Sequence, residues 1–132
     1  MTIFEKIING ELPSCKIYED EHTFAFLDAN PWSPGHTLVI PKVAIDYFAD
    51  VPEPYYSAVF QTAKKIAPAI QQATWCKRVS TMILWFEVPH FHYHLLPMND
   101  LSEVDSSRAR KASLEELEDM QAKILSGIEN HN

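Results

Sequence analysis

Glycine and cysteine are scarce in this sequence, with three glycines and two cysteines in 132 residues. So little glycine argues against fibrous and low-complexity chains, and a hydrophobic share of 46% argues against disorder. Cys15 and Cys76 lie far apart and form no C-x-x-C pair, so two reduced, buried thiols are expected rather than a zinc ribbon or a redox dithiol. Basic residues are outnumbered, 11 Lys and Arg against 18 Asp and Glu, for a net charge of -7. That excludes a protein binding duplex nucleic acid chiefly by neutralising phosphates, but leaves room for a small nucleotide, which needs only a local site. Long apolar runs are missing too: the longest, Met82 to Phe86, is far too short for a bilayer span. The opening MTIFEKIINGELP carries Glu5 and Lys6 inside its apolar stretch and does not read as a signal peptide. The expectation is a cytoplasmic chain, 1–132, folding as one domain with no membrane contact.

What is present alternates between strand and helix signals. Phe4, Ile7 and Ile8 fit a short helix stopped by Gly10. Lys16–Glu19 and Thr23–Leu27 read as strands around a turn, and the breakers of Asn30–Gly35 precede a third strand, His36–Ile40. From Pro54 to about Gln72, Tyr56, Val59, Phe60, Ala63, Ile66, Ala67 and Ile70 recur at helical spacing, with Pro68 expected to kink or shorten the last turn. Arg78–Phe86 is apolar enough for a central fourth strand, and His90–Leu96 reads as a fifth. Asn99–Lys111 reads as a polar loop. The capping box Ser113-x-x-Glu116 opens a helix with Leu114, Leu117, Met120, Ile124, Leu125 and Ile128 on one face. The sum is an α+β layout: an antiparallel sheet of about five strands, one long central helix and a C-terminal helix.

Half of the six histidines fall within five residues, in HFHYHLLP. On a strand His90, His92 and His94 share one face, while Phe91, Tyr93 and Leu95 face the core. A metal site using all three is disfavoured, since at ~3.3 Å per residue the outer two are about 13 Å apart at Cα. Two of them could bind a metal with a remote third ligand, for which His22 and His36 are candidates without a supporting spacing. A solvated polar face is the bland alternative. Nucleophilic catalysis fits the spacing better. An imidazole that donates one N–H to a backbone carbonyl keeps its other nitrogen bare for attack on phosphorus, and its neighbours can hold phosphoryl oxygens.

His90-Phe91-His92-Tyr93-His94-Leu95-Leu96 resembles the His-φ-His-φ-His-φ-φ signature of the histidine triad (HIT) family. TIFEKIINGELP and KIYEDEHTFAFLDANPWSPGHTLVIPK are similar to that family's N-terminal half, so the likeness covers about residues 2 to 45 and 79 to 98. The resemblance implies a homodimer of α+β protomers that binds purine nucleotides. It implies hydrolysis or transfer at the α-phosphate through a nucleotidyl-histidine, without a cofactor or catalytic metal. By position His92 is the implied nucleophile, with His90 and His94 orienting it. Asp28 matches the acid that binds the ribose hydroxyls. Ile3, Phe4, Ile7, Leu12, Phe26 and Ala29 match the apolar pocket around the base.

The sequence also departs from the pattern. Thr2 and Glu5 stand where many members have a zinc-binding Cys-x-x-Cys, so that zinc is not expected. Ala44 stands where members carry a further histidine after Ile-Pro-Lys, and the triad is expected to lack that supporting imidazole. Trp85 and Phe86 replace a glycine and a polar residue, a change expected to narrow the phosphate pocket. Glu87 is a candidate to exchange a proton with the leaving group. These changes favour a rival reading, a nucleotide-binding module with little turnover.

Overall fold

Short-range capping decides both ends of the chain. In a computed structural model describing residues 1–84 and 88–130, α1 (Ile3–Ile8) opens with a capping box. Thr2 Oγ1 accepts from the Glu5 N–H while Glu5 accepts from the Thr2 N–H. The other terminal helix, α3 (Leu114–Asn130), begins with the expected reciprocal bonds between Ser113 and Glu116.

Between them lie β1 (Lys16–Glu19), β2 (Thr23–Leu27), β3 (Thr37–Pro41), α2 (Tyr55–Thr74), β4 (Arg78–Ile83) and β5 (Tyr93–Met98). The five strands form one antiparallel sheet in the order β1-β2-β3-β5-β4. The expected α+β class and strand number are therefore observed. The region 99–111 contains two short 3-10 turns, each capped by an aspartate side chain, Asp100 and Asp105.

The two sheet faces are covered differently. Ala25, Val39 and Leu95 alternate onto the face that receives Val59, Ala63, Ile66 and Ile70 of α2, and Ile124 of α3 joins this cluster. Phe24, Phe26, Leu38 and Ile40 point the other way and meet Phe4, Ile7 and Ile8 of α1. Both cysteines are unpaired and buried.

Several expectations are corrected. β4 is an edge strand rather than a central one, paired among the described residues with β5 alone, and none of its residues is fully buried. β5 begins at Tyr93, not His90, because its pairing with β3 stops at Val39↔Tyr93. Pro68 does not shorten α2, which runs to Thr74. It occupies an exposed position, where the carbonyl it leaves unbonded can reach water. On α3, Leu114 and Leu125 are exposed, and the packed stripe is Leu117, Met120, Ile124 and Ile128. Trp85, Phe86, Glu87 and His131 lie outside the described residues. Among the described residues no helix is long and apolar enough to cross a membrane.

Candidate functional site

The triad sits on the face opposite α2. Phe91 and Leu95 are fully buried in the α2-side cluster with Tyr93 packed against it, as alternation requires. His90, His92 and His94 are buried on the other side. Since the ladder ends at Tyr93, the backbone of 90–92 is tied by other bonds. The Phe91 N–H donates to Ile45 O at 2.7 Å and the His90 N–H to Val88 O at 2.8 Å.

Hydrogen-bond chemistry fixes the tautomers, because carbonyl oxygens only accept and backbone N–H groups only donate. His92 Nδ1 lies 2.7 Å from the His90 carbonyl oxygen, so Nδ1 carries the proton and Nε2 is bare. His90 Nε2 donates to Pro41 O at 2.9 Å, leaving its Nδ1 to accept from the Thr2 hydroxyl at 3.0 Å. The Trp32 N–H donates to His36 Nδ1 at 3.1 Å. Neutral His36 must then carry its proton on Nε2, which donates to His94 Nδ1 at 2.9 Å. His94 is left with its proton on Nε2. That buried atom has no hydrogen-bond partner among the described residues.

Electrostatics agrees with neutral rings. Burial, followed by the nearby His92, lowers the His36 pKa to about 4. Burial, followed by His36 and His92, lowers that of His94 to about 3 against an upward pull from Asp28. His90 is also lowered, mainly by burial, although the Pro41 carbonyl and Glu5 oppose the shift. His94 is thus an uncharged donor at neutral pH rather than an imidazolium.

His36 is the residue that sequence reasoning undervalued. From the sequence it is a candidate only as a remote metal ligand, and Ala44 leads to the expectation of a triad without a supporting imidazole. Ala44 is exposed, and the support comes from His36. Leu38 pairs with His94 across the sheet, so His36, two residues before Leu38, returns to the same face. Gly35, at φ +90°, turns the chain into this position, and a Cβ there would meet Thr74 Cγ2 at 2.6 Å.

The proposed base pocket is partly assembled. Phe4 and Phe26 are buried with ring centroids 5.5 Å apart, and Ile7 packs on them. Phe4 also stands edge-on to His90 and His92 at 5.7 and 5.2 Å. Ile3 is half-exposed, Leu12 is partly buried, Ala29 is exposed, and none of the three belongs to that cluster. Asp28 Oδ1 accepts the Asn30 N–H, the turn-capping bond typical of such loops, while Oδ2 lies 3.9 Å from His36 Nε2. Asp28 and His36 also line a cleft of about 300 Å³ with Trp32, Arg108, Lys111 and Met120; the three triad histidines do not.

Asp28, His36 and His94 place one potential ligand atom each within 4.8 Å of one another, a set able to hold a metal ion. The His36 and His94 rings are already bonded to each other, so an ion there would have to displace that bond. His22, the other candidate ligand, stacks edge-on against Tyr55 and is not part of this set.

A sheet with short α1 over one face, and three buried imidazoles in fixed tautomers on it, defines a histidine-triad site. The HIT domain model matches residues 9–101, and the chain belongs to that family. Over 100 residues it is 40% identical to Protein hit of Bacillus subtilis, covering 72% of this chain and 69% of that protein. It is 37% identical over 99 residues to the adenosine 5'-monophosphoramidase HNT1 of Saccharomyces cerevisiae, covering 74% of this chain and 63% of the yeast protein. Among solved structures it is similar to a Hit-like protein from Bartonella henselae involved in cell-cycle regulation. That match has a TM-score of 0.85 and 32% identity, covering 96% of this chain and 95% of the other.

Proposed function

We propose that the protein is a nucleotide hydrolase or transferase acting at the α-phosphate of purine nucleotide derivatives, nucleoside phosphoramidates or dinucleoside polyphosphates. The observation that carries this reading is the tautomer pattern. His92 holds a bare Nε2 because its Nδ1–H is committed to a backbone carbonyl, and His94 presents on the same face an Nε2–H with no partner among the described residues. His92 Nε2 attacks phosphorus and displaces the amine, alcohol or phosphate, which leaves protonated. Water then attacks the nucleotidyl-histidine and releases the nucleoside monophosphate. The neutral His94 N–H stabilises charge growing on a phosphoryl oxygen or on the leaving atom. Asp28 takes the ribose hydroxyls, and Phe4, Ile7 and Phe26 line the base pocket, with Ile3, Leu12 and Ala29 at its rim. Glu87 is assigned to proton exchange with the leaving group from its position beside the triad in the sequence.

The yeast monophosphoramidase supports the phosphoramidate class, and an adenylylsulfatase of Arabidopsis thaliana, 28% identical, supports adenylyl substrates more broadly. We further propose a cytoplasmic homodimer of single-domain protomers, with no metal in the reaction. The unpaired edge of β4 and the half-buried Tyr56–Phe60–Tyr93 aromatic row support a second copy on that side. AMP release from adenosine 5'-phosphoramidate by chelator-treated protein, beside a His92→Ala variant, tests the reaction. Turnover lost in the variant is expected. A folded wild type with no turnover, but tight AMP binding, would overturn the reading in favour of a binding module.

A further inference from the structure

We infer that Thr2 is a positioning residue for the triad, acting through His90 on the orientation of His92. In its kinetic arm this rests on the reading above; in its spectroscopic arm it does not. Residues 90–92 lie outside the β-ladder, so strand pairing does not orient the His90 carbonyl that holds His92 Nδ1. Two side-chain bonds clamp the His90 ring instead. Nε2–H reaches Pro41 at the end of β3, and Nδ1 receives the Thr2 hydroxyl proton from the start of α1. The same Thr2 oxygen accepts the Glu5 N–H, and Glu5 in turn accepts the Thr2 N–H.

A six-residue helix has too few internal bonds to stand alone, so α1 depends on its cap and its packing. The cap oxygen is therefore shared between two tasks: it starts the helix that carries Phe4 against His90 and His92, and it holds the bare Nδ1 of His90 with a donated hydrogen bond. Only a group that both accepts and donates can do this, which a threonine or serine hydroxyl does and a carboxylate does not.

Three substitutions separate the tasks. Thr2→Ser keeps both roles, Thr2→Asp keeps the helix cap but cannot donate to His90, and Thr2→Val keeps the shape and loses both. Ring ¹⁵N spectra should show His90 Nδ1 as the unprotonated nitrogen in wild type and Thr2→Ser. In Thr2→Val the His90 Nδ1 and His92 ring signals should both move. In Thr2→Asp, His90 Nδ1 should take up a proton to face the carboxylate. With adenosine 5'-phosphoramidate, kcat should fall about tenfold or more in Thr2→Asp and Thr2→Val with KM nearly unchanged, while Thr2→Ser stays near wild type.

A residue that only caps α1 predicts otherwise: Thr2→Asp would melt and turn over like wild type. That result, or unmoved His90 and His92 signals in Thr2→Val, would overturn the inference. If the wild type shows no turnover, the proposed reaction fails while the ring spectra still decide the role of Thr2.

Discussion

The two faces of one sheet solve opposite problems. Toward α2, Ala25, Val39 and Leu95 meet Ile66 and Ile70, and each is at most 0% exposed. Toward α1, a single short helix covers phenylalanines interleaved with three buried histidines. The first face is mostly aliphatic, with the buried Thr23 and Thr62 hydroxyls satisfying each other, and its stability comes chiefly from apolar burial. The second keeps imidazoles dry, a cost met by giving most ring nitrogens a defined partner. Stability is concentrated on one side and chemistry on the other.

Substitutions on the two faces should separate these properties. The largest effect is expected for His92→Ala, a loss of activity of at least about 10³-fold with melting little changed, checked by steady-state kinetics and calorimetry. On the opposite face Ile66→Ala should cost about 2–5 kcal/mol in denaturant unfolding while the folded protein keeps its kcat. Equal effects on both properties from either variant would erase the division.

Acid should act on the histidine face. His36 and His94 titrate near 4 and 3 when folded, below an unfolded value of 6.5, so the unfolded chain binds more protons across that window. Stability is complete above the unfolded value and declines as pH falls from about 6.5 through 4 toward 3, by on the order of a few kcal/mol. Urea midpoints should follow this slope, and His36→Asn should make it shallower. The smallest effect belongs to the helix layer. An alanine at Gly127 would bring its Cβ within 3.1 Å of Ala69 Cβ and 3.2 Å of Ala69 Cα. Gly127→Ala should cost about 1 kcal/mol or less, since crowding is partly offset by helix propensity. A clear rise in melting temperature would show that the α2–α3 contact yields easily.

Local and periodic signals were legible: the helical stripe of α2, the Ser113 capping box, and the alternation that separates His92 from Phe91. So was the principle that a carbonyl-bound imidazole exposes its other nitrogen. Less legible was anything set by which strand lies beside which. His36 reaches His94 only through the Leu38↔His94 register. β4 looked central because its composition is apolar, although strand position is decided by pairing. The late start of β5, at Tyr93, likewise follows from where its pairing with β3 stops, which the HFHYH stretch does not encode. Thr2 read as a replaced ligand position, and its bond to His90 spans 88 residues of sequence.

The stereochemical course at phosphorus tests the central claim most directly, using a single diastereomer of an isotopically chiral adenosine 5'-phosphorothioate derivative hydrolysed in labelled water. A nucleotidyl-His92 intermediate requires two in-line displacements and predicts overall retention of configuration. Inversion would mean that water attacks phosphorus directly, and would contradict the assignment of His92 as the nucleophile.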